Sequence, residues 1–182
     1  RNLGNGFYES EHIRYGEWNF GFPTESQSLL NLPNAKIIKL FIEDEEFSML
    51  TGEIEDYKRV LHMKEGRITR DLIWVSPKGK KIKISISRFV SFNNKNLMEI
   101  RYKVTPLNFS GNLKFISAID ANVENHTRKT NPLVDYGPFG KRLANDYIDS
   151  IKDELYYEGT TLNSELSIAC GAVNKISAEN FI

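Results

Sequence analysis

The sequence has little of what metal sites and nucleophilic active sites are built from. Its 182 residues include one cysteine, Cys170, and three histidines, His12, His62 and His126. Because the histidines are at least 50 residues apart, none belongs to a metal-ligand spacing such as His-x-x-x-His. Cys170 lies in an apolar run and is expected to be a small buried side chain rather than a reactive thiolate. We therefore expect no metal and no cofactor.

Long apolar runs and phosphate-binding loops are also missing. No stretch approaches the ~20 apolar residues of a membrane helix, and the first residues lack the basic and apolar regions of a signal peptide. Gly4 and Gly6 are not followed by the third glycine of a dinucleotide-binding loop, and neither a Walker lysine motif nor a Gly-x-Ser-x-Gly elbow occurs. We expect a soluble cytoplasmic protein that is not bound to membranes, and we find no recognisable catalytic residue in these 182 residues.

Charge is balanced overall but unevenly distributed. Residues 58–103 hold 13 basic and 3 acidic side chains, while the rest of the chain is acidic. A basic block can mark a nucleic-acid surface. Here, however, Lys81 and Lys83 alternate with Ile82 and Ile84, as on a strand with one solvent-facing side. We therefore expect no nucleic-acid partner.

Period-two alternation dominates the middle of the chain. Ile82, Ile84 and Ile86 would lie on one face of a strand, with lysines and serines on the other. Turn-forming residues separate the segments, and Pro77 with Gly79 predicts a tight turn between two strands. The predicted strands are 35–42, 45–49, 54–63, 67–75, 80–90, 97–105, 112–120, 154–161 and 165–173. This spacing predicts an all-β fold of antiparallel strands, a sandwich or a barrel.

Two regions lack this alternation. Residues 1–34 are rich in glycine, asparagine and proline and are predicted to be extended chain and loops. A loop-rich excursion is predicted near 124–153, with an obvious loop at 135–140. Within it, apolar residues recur every four positions over 143–151, which predicts a short helix.

One segment of the first region is unusually aromatic. Tyr15, Trp18, Phe20 and Phe22 fall within nine residues, broken by glycines and ended by Pro23, so the segment is predicted to be a loop. Such rings can stack on sugars or anchor an interface. The alternative is a loop that folds back into the core. We take the four aromatics as candidate residues at a substrate-pocket rim or at the face toward a missing domain.

The run from residue 31 to residue 125 resembles a known family, the N-terminal domain of glycoside hydrolase family 65. Upstream, Asn5-Gly6 and Phe20-Gly-Phe22 are similar to the entry segment of that family. The fragments that carry the resemblance are, in order, Asn31-Leu-Pro-Asn34, Asp44-Glu-x-Phe47, Tyr57-x-Arg-x-Leu-x-Met63 with Gly66, Arg70-x-x-x-Trp74, Ser76-Pro-x-Gly79-Lys80, Arg88-Phe-Val-Ser91, Ile100-x-Tyr-x-Val-Thr-Pro-Leu-Asn108 and Ser110-Gly111. Each fragment is short, and the specificity comes from their order and spacing.

The resemblance implies a β-supersandwich of the galactose-mutarotase type. It also implies that residues 1–182 are one sandwich domain of a longer chain, whose catalytic (α/α)₆ barrel lies downstream. In that family, inorganic phosphate attacks the anomeric carbon of an α-linked glucose disaccharide while a glutamic acid of the barrel protonates the leaving oxygen, with inversion. The implied partners are the barrel, the disaccharide, phosphate and a second subunit of a homodimer. No catalytic residue carries over to this segment.

The role expected from the resemblance is structural: supporting the barrel and shaping the rim of its pocket. Whether the parent is a phosphorylase or a hydrolase stays open at this point. Two other functions also stay open, an autonomous carbohydrate-binding module and a protein interaction domain. The module would need an exposed aromatic platform that binds sugar without a barrel.

The purified chain is expected to release neither glucose 1-phosphate nor glucose from maltose, trehalose, kojibiose or nigerose. The reason is that no paired acid and phosphate site is visible in its sequence. Coupled assays for both products provide the measurement. Turnover that a substitution within this chain abolishes would contradict the expectation.

Overall fold

The computed structural model describes residues 2–125 and 140–178, and this part of the chain is built from β-strands. The described segments contain one 3₁₀ turn, Met63–Glu65, as their only helical element. The strands are β1 (Tyr8–His12), β2 (Glu25–Leu29), β3 (Asn34–Ile42), β4 (Glu45–Glu46), β5 (Glu53–His62), β6 (Arg67–Val75), β7 (Lys81–Val90), β8 (Met98–Pro106), β9 (Leu113–Asp120), β10 (Leu143–Ile151), β11 (Glu154–Thr161) and β12 (Ser167–Val173). The all-β class predicted from the sequence is confirmed.

The chain divides into two compact units. One unit comprises residues 38–116, and the other combines residues 1–37 with residues 117–182. The first unit holds the four-stranded antiparallel sheet β5-β6-β7-β8. The second holds the hairpin β1-β2 and the three-stranded antiparallel sheet β10-β11-β12. Strands β4, β3 and β9 form a further three-stranded sheet, in that order.

The core of the 38–116 unit forms where alternating apolar residues of β6 and β7 meet the end of β3. The register places Leu72 opposite Ile84 and Trp74 opposite Ile82, so their side chains share one face of the sheet. The fully buried cluster consists of Leu40, Ile42, Leu72, Trp74, Ile82 and Ile84. Burying each such side chain stabilises the fold by about 1.5–3 kcal/mol relative to leaving it exposed.

Trp74 is the largest buried side chain of this cluster. Its ring meets the Phe47 ring edge-to-face, with centroids 5.3 Å apart and planes at 87°. Its indole Nε1–H donates a hydrogen bond of 2.7 Å to the carbonyl oxygen of Thr51. The buried indole is therefore both packed and hydrogen-bonded, as burial of a polar N–H requires.

The turn predicted from Pro77 and Gly79 lies between β6 and β7, as expected. The Gly79 N–H donates to the Ser76 carbonyl oxygen at 2.8 Å, and Gly79 takes a φ of 81°, which costs glycine little. The carboxylate of Glu45 accepts from the Ser76 hydroxyl at 3.0 Å and from the Lys78 N–H at 3.1 Å. The acidic residues around β4 thus support a neighbouring turn.

The helix predicted over residues 143–151 is wrong, because this segment is strand β10. It pairs with β11 along its whole length, with a register shift between Asn145 and Tyr147. A residue that recurs every four positions fits one face of a strand as well as one face of a helix, since four is a multiple of two. Most of the predicted loop at 135–140, and the rest of the excursion over 126–139, lies outside the described residues.

Two glycines of left-handed conformation provide a matched test of packing around Trp74. A Cβ added at Gly52 would lie 2.7 Å from Trp74 Nε1 and would also meet the Val75 carbonyl oxygen, whereas one added at Gly79 would meet nothing within 4 Å. Gly79→Ala should lower the free energy of unfolding by the backbone term alone, about 1–2 kcal/mol. Gly52→Ala should lower it by about 1–3 kcal/mol more because of the clash. Urea melts of the two variants measure the difference, and equal losses would show that Gly52 does not lie against Trp74.

Candidate functional site

The candidate aromatic residues lie in the loop of a β-hairpin. β1 and β2 pair antiparallel from Tyr8 opposite Leu29 to His12 opposite Glu25, and the Ile13 N–H donates to the Thr24 carbonyl oxygen at 2.9 Å beyond them. The prediction of extended chain and loops for residues 1–34 therefore missed two short strands. Polar alternation in these strands gave no apolar face for sequence reasoning to detect.

Contacts within the loop brace its base. The rings of Tyr15 and Phe22 pack with centroids 5.0 Å apart, and the Tyr15 hydroxyl donates to the Pro23 carbonyl oxygen at 2.9 Å. The Phe22 N–H donates to the Asn19 carbonyl oxygen at 3.1 Å. Tyr15 and Phe22 therefore hold the loop in shape, and they join its two ends at the base.

The other two candidate aromatics project from the tip. Trp18 is 65 % exposed and Phe20 is 93 % exposed, while Phe22 at the base is 43 % exposed. Rings this exposed do not fill the core of the unit that carries them. We refer to Tyr15, Trp18, Phe20 and Phe22 together as the aromatic hairpin tip. Its exposed ring faces suit contact with a sugar or an apolar surface, and they supply neither acid nor base.

A buried carboxylate anchors the hairpin to the turn between β11 and β12. Glu9 in β1 is fully buried, and its carboxylate accepts hydrogen bonds from the backbone N–H groups of Leu162, Asn163 and Ser164 at 3.1, 3.1 and 2.7 Å. Successive N–H groups that converge on one anion form a nest, which offsets the cost of burying its charge. Glu9 is therefore a structural anchor.

A second anchor joins the same hairpin to the chain just before β10. The Arg142 guanidinium donates to both oxygens of the Glu11 carboxylate, at 3.3 and 3.1 Å. Both side chains are partly shielded from water, which strengthens an ion pair relative to an exposed one. Sequence reasoning missed both anchors, because the partners are more than 130 residues apart and neither carries a motif.

Other residues considered from the sequence have structural surroundings. Cys170 is half-buried, not fully buried as expected, and this partial burial raises the pKa of its thiol, which disfavours the reactive thiolate. His62 in β5 lies with its Nε2 3.1 Å from the Thr69 hydroxyl. No group of three or more potential metal ligands occurs within the described part of the chain.

The family is decided by comparison with known sequences. The profile described as "Glycosyl hydrolase family 65, N-terminal domain" matches residues 3–181. This chain belongs to that family. The resemblance carried by the fragments between residues 31 and 125 is confirmed, and it extends over nearly the whole chain.

Relatives of this family 65 domain include phosphorylases of two disaccharides. It is 38 % identical over 178 residues to an alpha,alpha-trehalose phosphorylase of Thermoanaerobacter brockii, covering 97 % of this chain and 23 % of that protein. It is 31 % identical over 150 residues to a kojibiose phosphorylase of Caldanaerobacter subterraneus, covering 82 % of this chain and 19 % of that protein. The domain thus spans about a quarter or less of the length of these relatives.

A solved structure shares the fold of the domain. The chain described as "Putative kojibiose phosphorylase from human microbiome" superposes with a TM-score of 0.75 at 19 % identity, over 98 % of this chain and 22 % of that one. At this identity the likeness concerns the fold alone. Within the described residues, the domain has no helix with the length and hydropathy needed to cross a membrane.

The two tryptophans of the domain should differ sharply in their contribution to its stability. Trp18→Ala removes an exposed ring and should change the free energy of unfolding by no more than about 0.5 kcal/mol. Trp74→Ala empties the core and should cost about 3–5 kcal/mol. Denaturant melts of the 182-residue chain make the comparison. If Trp18→Ala lowered the free energy of unfolding by as much as Trp74→Ala, the hairpin tip would be part of the core.

Proposed function

We propose that this chain is the non-catalytic N-terminal domain of an inverting phosphorylase of α-linked glucose disaccharides. The observation that carries the proposal is the family match over residues 3–181 together with the small share of each relative that the chain covers. The relatives named above are phosphorylases of trehalose and kojibiose, which favours phosphorolysis over hydrolysis for the parent. The catalytic acid and the phosphate site would lie in the parent outside this domain, in a helical barrel.

The domain itself would contribute support and a pocket rim. The buried Glu9 and the Glu11–Arg142 pair hold the base of the hairpin, so the tip is presented by a fixed scaffold. Trp18 and Phe20 would then lie over the entrance of the barrel pocket, where aromatic faces pack against the apolar C–H faces of a sugar ring. A rim contact of this kind binds and orients the substrate and moves no proton.

Two further parts of the proposal concern the assembly and its location. The proposed parent is a homodimer, lies in the cytoplasm and uses inorganic phosphate as its second substrate. A single thiol, Cys170, fits a reducing compartment.

Kinetics of the full-length parent test the proposal. The parent should release glucose 1-phosphate from trehalose or kojibiose in the presence of inorganic phosphate. Trp18→Ala and Phe20→Ala should raise the Michaelis constant for the disaccharide about 5–30-fold, the equivalent of ~1–2 kcal/mol of binding, with little change in kcat. Leu50→Ala, which removes an exposed apolar side chain from a turn before β5, is the matched control and should change neither constant.

Other outcomes of this experiment would favour other functions. A parent that releases glucose without phosphate is a hydrolase. If the Michaelis constant and kcat were unchanged in both aromatic variants, the hairpin tip would not line the pocket. The exposure of Trp18 also allows a sugar-binding module that acts alone. In that case maltose, trehalose or kojibiose should shift the tryptophan fluorescence of the 182-residue chain, and Trp18→Ala should abolish the shift.

A further inference from the structure

The apolar face of the β5–β8 sheet continues well past the buried cluster. Trp74 and Ile82 are fully buried at one end of this face. At the other end, Leu61 is 56 % exposed, Val90 is 58 % exposed and Met98 is 37 % exposed. One continuous face is thus core over half its length and half-buried or exposed over the rest.

The strand register shows that these residues share the face of the core. Leu72 pairs with Ile84, and four residues earlier along β6 Ile68 pairs with Leu61 on one side and with Arg88 on the other. Steps of two and four keep side chains on the same side of a sheet. We call the half of the face beyond the buried cluster the distal face. It consists of Arg59, Leu61, Ile68, Arg70, Arg88, Val90, Met98 and Ile100.

The distal face carries positive charge and no negative charge. Arg59 lies directly opposite Arg70, and Arg88 pairs in register with Ile68 and Ile100. No described carboxylate forms an ion pair with these three arginines, and the contact found for Arg70 is with the Met49 sulfur at 3.6 Å. Two arginines facing each other across strands repel, unless an anion comes between them.

The other face of the same strands is different in kind. Lys81 there pairs with Glu55, and the Ser85 hydroxyl donates to Asp71 at 2.7 Å. Lys83 is exposed on that face, where its nearest neighbours along β7 are Lys81 and Ser85. We call that face the solvated face, because its exposed side chains are polar and carry both charges, while its apolar side chains, such as Ile73 and Phe89, are half-buried. The distal face instead exposes Leu61, Val90 and Met98 beside unneutralised arginines. Arginine among apolar residues is the composition of interfaces, and an exposed apolar surface in a soluble chain marks a contact region.

We propose that the distal face is a docking surface for a segment of the parent protein outside residues 1–182, one that carries carboxylates among aliphatic side chains. The inference rests on the proposed function, because it needs a parent of which this domain is one part. This chain covers 23 % and 19 % of the length of the two relatives named above, so proteins of this kind have enough further residues to supply such a segment. Carboxylates are required because the arginines of the face are unneutralised, and aliphatic groups because Leu61, Val90 and Met98 are exposed.

Photo-crosslinking in the full-length parent identifies the occupant directly. Benzoylphenylalanine incorporated in place of Leu61 should crosslink, within one polypeptide, to a residue outside 1–182 that has Asp or Glu among its neighbours. The same probe in place of Lys83, on the solvated face, is the control and should not give that product. Peptide mass spectrometry locates the crosslink. A crosslink to a second copy, to a residue within 1–182, or none at all would overturn the proposal.

Charge reversal gives an independent readout in the same full-length protein. Arg88→Glu places a carboxylate between Ile68 and Ile100, with no arginine directly opposite it to form a new ion pair, and against the proposed acidic segment, so it should lower the melting temperature of the parent. Lys83→Glu, a reversal on the solvated face of β7, should leave the melting temperature unchanged. An Arg88→Glu parent as stable as the wild type would overturn the proposal.

The docking proposal and the proposed function fail in different ways. A parent with phosphorylase activity but no crosslink from position 61 would refute the docking surface alone. A crosslink in a parent without activity on any α-linked glucose disaccharide would refute the function and keep the contact. A gene that ends with this domain would refute both.

Discussion

Burial of one face of β6 and β7 is the constraint on which the 38–116 unit depends. Leu72, Trp74, Ile82 and Ile84 are all within 1 % of complete burial, and the register brings them together. A slip of one residue in either strand would turn its buried set toward water, and in β7 it would also turn Lys81 and Lys83 toward the core. The register, the turn at residues 76–80 and the hydrogen bond from Trp74 to Thr51 are therefore mutually consistent, and each supports the others.

The hairpin of the other unit is held by a different kind of interaction. Its strands are short and polar, so hydrogen bonds and an ion pair replace apolar burial at its base. The Glu9 carboxylate accepts hydrogen bonds from three backbone N–H groups, and the Glu11 carboxylate forms an ion pair with Arg142. A polar anchor of this type fixes one geometry, because a displaced partner would leave a buried charge without compensation. The exposed tip is thus carried on a defined base, which reduces the entropy lost when it meets a partner.

Sequence reasoning succeeded where the alternation was long and failed where it was short or ambiguous. The bounds of β6 and β11 agree with those predicted, because each segment lies between clear turn residues. The helix predicted over 143–151 failed because Leu143, Tyr147 and Ile151 recur at a spacing that suits both periods. The register shift after Asn145 further hides the two faces of β10 from a reading of the sequence.

The same division applies to the candidate site. Tyr15, Trp18, Phe20 and Phe22 were identified from composition alone, because glycines and a proline among aromatics predict a loop. Which of the rings brace the loop and which project from it depended on the Tyr15–Phe22 contact and on the hairpin that brings the loop ends together. The glutamates that anchor the hairpin could not be found in advance, since acidic residues in polar segments are common and their partners are far along the chain.

By itself, the sequence determined the all-β class, most strand positions and the family, because alternation, turn residues and ordered motifs are local properties that survive in one dimension. Tertiary structure alone decided which half of the β5–β8 face is core and which half is exposed. It also decided that Glu9 is buried and that Arg59 faces Arg70. The physical reason is that burial and charge compensation depend on contacts between segments that are distant in the sequence, and the local sequence pattern does not specify those contacts.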